Sequence, residues 1–192
     1  MKDLTRDFIT LLTRRAVLKT ALAGAAGLIT ASPALAQLKI VVSGAQFTPM
    51  PIAIPDFASS DPAFGQQVAQ IVRADLTRSG LFAPLDASAT NGMIGDVSTT
   101  PDFTTWQSTS ADALVMGKVE RDAQGAQINA SVRVWDIRAS QQVVGQSYSA
   151  DAQGWRRIAH IVSDAIYSSL TGETGYFDTR IAYVAESGPR AN

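Results

Sequence analysis

The chain has 192 residues, with 16 basic and 17 acidic side chains, a single histidine and no cysteine. Without cysteine no disulfide can form, so the fold must hold by packing alone. A net charge of −1 and the lack of any basic run argue against a nucleic-acid surface.

The first 36 residues read as a cleaved export signal and are set aside from the fold. Thr13-Arg14-Arg15-Ala16-Val17-Leu18-Lys19 matches the twin-arginine pattern, with Val17 where an aromatic is usual. Such a leader is an address read by a receptor, and it implies a periplasmic destination. The uncharged stretch Thr20–Ala31 is shorter and less apolar than the roughly 20 residues a membrane span requires. Ala34-Leu35-Ala36 is a small-x-small cleavage site, so the mature chain is expected to start at Gln37. An uncleaved anchor helix is the alternative. The leader holds five basic and two acidic side chains, so 11 basic and 15 acidic remain and the mature balance is −4. The remaining length suits one domain with its own core.

Leu38-Lys39-Ile40-Val41-Val42-Ser43 is short and β-branched and predicts a strand. Gly44 to Pro51 carries Gly44, Pro49 and Pro51 and predicts a loop or tether. Pro51-Ile52-Ala53-Ile54-Pro55-Asp56-Phe57 predicts a buried strand closed by proline. Asp61-Pro62 opens a helix, the carboxylate serving free N–H groups and the proline taking the first helical position. Phe64, Val68, Ile71, Val72 and Leu76 share one face of it, and Gly80 ends it. Leu81 to Leu85 is a candidate returning strand. Asn91 to Ser110 is polar and ambiguous, with room for a short helix around Phe103 and Trp106.

Three clearer strands follow. Ala113–Arg121 is the first. In Ala126–Ile137, Ile128, Ala130, Val132 and Val134 alternate with Asn129, Ser131, Arg133 and Trp135, the pattern of a half-buried strand. Gln142–Ser149 returns after a short turn, so the three form an antiparallel meander. A final helix is predicted over Trp155–Thr171, with Trp155, Ile158, Ala159, Val162, Ile166 and Leu170 as its apolar stripe and Gly172 as its cap. Two long helices and about five strands predict an α/β fold: a two-layer sandwich, a mixed sheet with the helices on one face.

The sequence offers little chemistry. His160 is alone, lies at helical spacing from Arg156 and Asp164, and reads as a capped or ion-paired structural residue. There is no Gly-x-Ser-x-Gly elbow and no phosphate-cradling glycine loop. One histidine, no cysteine and scattered carboxylates give no metal site. Asp56, Asp61 and Asp75 could cluster, yet each also fits a cap or a solvated face. Trp106, Trp135 and Trp155 read as core or interface packing, with a ligand groove as the alternative.

Four stretches carry a resemblance that covers essentially the whole mature chain. They are Arg73-Ala74-Asp75-Leu76-Thr77-Arg78-Ser79-Gly80-Leu81-Phe82, Ala111-Asp112-Ala113-Leu114-Val115-Met116-Gly117-Lys118-Val119, Arg133-Val134-Trp135-Asp136-Ile137, and the run from Trp155 to Pro189. Together these resemble the N-terminal α/β domain of the TolB family. The twin-arginine leader departs from the family's more usual general secretory route.

The resemblance implies a non-enzymatic periplasmic adaptor of the Tol-Pal system, without cofactor or metal. It implies binding to the C-terminal domain of TolA, and support of outer-membrane integrity and of constriction at division. The family's TolA-contacting segment maps onto Leu38, Lys39, Ile40, Val41, Val42, Ser43 and Gly44. Residues 37–50 are thereby expected to be an arm and tether, and 51–173 the α/β domain. Residues 174–192 are expected to hold a linker and the first strand of a propeller, Arg180 to Val184, whose other strands this chain lacks. Pal binding, a property of the family's propeller, is not expected from this chain without it. Trp155, Arg156, His160, Phe177 and Arg180 are expected to make structural or interdomain contacts. Read from the residues alone, Leu38–Ser43 is equally an ordinary first strand of the domain sheet. Two readings from other classes stand beside this one: an accessory domain of a periplasmic propeller-type hydrolase, and a small-ligand-binding α/β domain.

Overall fold

The computed structural model describes residues 47–90, 92–93 and 96–179. The expectations for the leader, for Leu38 to Gly44 and for Arg180 to Val184 lie outside the described residues.

Strand β1 (Met50–Ala53) is followed by helix α1 (Pro62–Arg78), strand β2 (Phe82–Pro84) and two short helices, α2 (Ala87–Thr90) and α3 (Phe103–Gln107). Strands β3 (Ala113–Arg121), β4 (Gln127–Asp136) and β5 (Gln141–Asp151) come next, then a 3-10 turn and helix α4 (Trp155–Thr171). The sheet runs in the order β2-β1-β3-β4-β5. β1 is parallel to both β2 and β3, while β3, β4 and β5 form the antiparallel meander. This is the mixed five-stranded α/β sandwich expected from the hydrophobic periods.

Met50, expected in the tether, belongs to β1, as does Pro51, the first residue of the expected strand. The pairing of β1 with β3 begins only at Ile52↔Ala113, so the missing N–H of Pro51 falls before the first rung. Its carbonyl still accepts from Asp112 N at 2.9 Å. The apolar run after it stays largely buried without continuing the strand. Arg73, on α1, explains where it goes: its guanidinium donates to Ile54 O at 2.7 Å and to Asp56 Oδ1 at 2.9 Å.

α1 starts as its sequence dictates. Asp61 Oδ1 accepts from Phe64 N, and Pro62 occupies the first turn. α4 ends at Gly172, whose φ is 79°. Ile52, Ile54, Val68, Val72, Leu76, Val115, Val132, Val134, Ile158, Val162, Ile166 and Leu170 make the centre of the core between sheet and long helices, all at 0 % exposure. Each such side chain stabilises the fold by about 1.5–3 kcal/mol through burial.

The other face of the sheet is not bare. Ala53, Leu114, Met116 and Trp135 alternate with the main-core residues and meet Val97, Trp106, Ala111 and Ile137 in a second, smaller core. This follows from topology. β1 and β3 are parallel neighbours, so the chain must cross over between β2 and β3, and it does so on the face opposite α1. Trp135, expected on the outward set of β4, is therefore buried and lies edge-on to Phe103 at 5.8 Å.

Candidate functional site

The described side chains with chemical potential gather on α4 and where it touches α1. α1 turns most of its polar residues to solvent, but Asp75 falls between the core positions Val72 and Leu76 and is 2 % exposed. A bare buried carboxylate is costly. Here three donors converge on it. His160 Nδ1 is 2.7 Å from Oδ2, Ser163 Oγ donates to the same oxygen at 3.0 Å, and Arg78 donates to Oδ1 at 2.9 Å. Asp75 therefore pins α4 to α1 from inside the seam. It is neither a cap nor a solvated residue, contrary to the sequence reading.

His160 is also paired differently from expectation. Its carboxylate partner lies 85 residues away on α1 rather than one turn away on α4. Asp164, the expected partner, is engaged elsewhere. The signal for this hub was faint but present: Asp75 and Ser163 each interrupt an apolar stripe, and the two stripes face one another.

Aspartate, histidine and serine thus meet, but in the wrong order for nucleophilic catalysis. Serine and histidine both reach the same carboxylate oxygen, whereas a triad needs the histidine between the other two. Ser163 is fully buried and also donates to Ala159 O at 2.9 Å. No substrate atom could reach it. Among the described residues no group of three His, Cys, Asp or Glu could hold a metal ion.

Asp164 holds the chain that follows α4. After Gly172 the backbone folds back along the helix, and the Asp164 carboxylate accepts from Phe177 N at 2.7 Å and from Asp178 N at 3.1 Å. Gly175 comes so close to Asp164 that a Cβ would overlap its side chain and Cα, so only glycine fits there. Arg157 forks onto Asp178 through Nε and Nη2 at 3.0 Å each, and that hydrogen bond holds the guanidinium pKa above its usual value. Phe177 and Tyr176 pack edge-on against Tyr167, with centroids 5.8 and 5.5 Å away. Burial pushes the Tyr167 phenol up, with Glu173 adding to the shift.

Trp155 stands at the start of α4. Its ring meets Phe64 edge-on at 5.7 Å, and the Arg156 guanidinium lies 4.3 Å above it. Arg121 covers the Phe64 ring at 4.0 Å. The expected structural residues thus occupy three settings along one helix: Trp155 with Arg156 at its start, His160 in the seam, and Phe177 on the returning tail. Trp106 and Trp135 belong to the second core and do not join Trp155. Among the described residues no helix is long and apolar enough to cross a membrane.

The TolB amino-terminal domain family matches residues 38–143. The chain is 44% identical over 167 residues to a Tol-Pal system protein TolB from Paramagnetospirillum magneticum, a match covering 85% of this chain and 37% of that relative. It thus spans little more than a third of the relative's length. The crystal structure of TolB from Acinetobacter baumannii is similar with a TM-score of 0.57 and 25% identity, over 74% of this chain and 33% of that one.

Proposed function

This chain belongs to the TolB family, whose amino-terminal domain it carries, and on that premise we propose that it is a non-enzymatic periplasmic adaptor of the Tol-Pal system. It binds the C-terminal domain of TolA through Leu38 to Gly44, and through that contact supports outer-membrane integrity and constriction at division. The mature chain begins at Gln37, after export by the twin-arginine route. Pal is a partner only where a propeller is supplied, downstream of residues 174–192.

The observation that carries the reading is the family match, which begins at residue 38, at the proposed arm. The fold is compatible with it. Among the described residues both cores are built from Met50 onward. A β-branched segment ahead of the proline-containing stretch Thr48-Pro49-Met50-Pro51 suits strand addition to another protein's sheet edge, where main-chain hydrogen bonds supply affinity. The polar hub at Asp75 supports an adaptor over an enzyme, since its donors fasten two helices and leave no group free to attack.

Deleting Gln37 to Gly44 tests the proposal. Binding to the TolA C-terminal domain should vanish in a pull-down, and the melting temperature should stay within a few degrees of the parent. Undiminished binding by the deletion variant would end the reading.

A further inference from the structure

Charge is divided unevenly over the fold. Residues 47–179 hold 8 Lys and Arg against 14 Asp and Glu, a balance of −6. Yet α1 and α4 together carry four of those eight cations, Arg73, Arg78, Arg156 and Arg157, and only two of the fourteen acids, Asp75 and Asp164. Neither acid faces solvent freely. Asp75 is buried under three donors, and Asp164 accepts from the returning tail. The two long helices are therefore less acidic than the rest of the described fold.

Between these helices lies a groove of about 330 Å³, lined by Gln67, Gln70, Ile71 and Ala74 of α1 and by Trp155 and Arg156 of α4. Its floor is apolar and its rim carries amides and a guanidinium. Three of the four helix arginines are neutralised: Arg73 by Asp56, Arg78 by Asp75, and Arg157 by Asp178. Arg156 differs. It is exposed, its guanidinium carbon lies 4.3 Å over the Trp155 ring, and among the described residues no carboxylate lies within 4.0 Å of it. That contact holds the guanidinium in place, and its N–H donors form a fixed fork. Tryptophan and arginine are both among the residues enriched where binding energy concentrates.

We propose that this groove docks an acidic polypeptide segment of a partner protein. One carboxylate of the segment takes the fork of Arg156, a neighbouring apolar side chain rests on Ile71, Ala74 and the Trp155 ring, and Gln67 and Gln70 bond its backbone. Charge complementarity selects the partner. A basic segment would meet the unpaired charge of Arg156, and a second copy of this chain would have to present one of its own acidic loops. None of the lining residues belongs to the proposed TolA arm, Leu38 to Gly44.

Titration of the full chain with a capped 12-residue peptide of repeating Glu-Glu-Leu, followed by tryptophan fluorescence, tests this. Trp106 and Trp135 are buried, so Trp155 is the indole in reach. A saturable change is expected, absent in Trp155→Phe. Arg156→Glu, at an exposed position where folding is not at stake, should weaken binding at least about tenfold, and Arg156→Lys less, because lysine lacks the fork. Raising salt from about 0.05 to 0.5 M should weaken it several-fold. Deleting Gln37 to Gly44 should leave it unchanged, which separates this site from the arm. No saturation up to about 1 mM, the weak end of useful affinity, overturns the proposal. So does equal binding of the peptide with lysine in place of glutamate, an unaltered affinity in Arg156→Glu, or a signal that depends on protein concentration as self-association does.

Discussion

Asp75 shows how one residue decides the relation of two helices. Its carboxylate is shielded from water, so its interactions with Ser163 and His160 are worth more than the same contacts on the surface. Arg78, 69 % exposed, adds less than its 2.9 Å distance suggests, because solvent screens it. Asp75→Ala should destabilise the protein by about 2 kcal/mol, measured by urea unfolding. The value stays below that for a buried charge left unpaired, because His160 is one-third exposed and Arg78 returns to solvent. Pairing Asp75→Ala with Ser163→Ala in a double-mutant cycle should show coupling of about 1 kcal/mol. Strict additivity would mean the hydroxyl serves only Ala159 O.

At the scale of elements, α1 sits as close to the chain after β1 as backbone allows. A Cβ on Gly65 would overlap the carbonyl oxygen of Phe57 and crowd Ser59 Cβ at 3.3 Å. The obstacle is main chain and cannot rotate away. Gly65→Ala should therefore push α1 off the sheet and cost about 3 kcal/mol, the upper end for overpacking, despite alanine's better helix propensity. Thermal unfolding decides between the two effects: a stabilised variant would show that propensity wins and that the Phe57 segment yields. Gly65 carried no warning in the sequence, since a lone glycine in a helix reads only as a weak position.

For the molecule as a whole, the returning tail fixes where the chain leaves the domain. Asp164 accepts two backbone N–H groups, Arg157 clamps Asp178, and the aromatic pair rests on Tyr167. This arrangement fixes the course of the chain up to Thr179. Asp164→Ala removes the main anchor. Limited proteolysis between Gly172 and Thr179 should then accelerate several-fold, while global stability falls by about 1–2 kcal/mol. An unchanged cleavage rate would place the hold in the Tyr167 cluster instead.

Both long helices, the meander and the mixed sheet were legible because each rests on local rules: Asp61 and Pro62 begin α1, Gly172 ends α4, and the alternation of Ile128 to Val134 marks β4. The family was legible too, since its motifs are contiguous stretches of residues. Partnership across the fold was not. Asp75 meets His160 only because α1 and α4 pack side by side, and Trp135 is buried only because a crossover lies on the second face. Sequence periods state which side of an element is apolar. Which other element covers that side, and which polar groups are carried in with it, is set by long-range packing that no local pattern encodes.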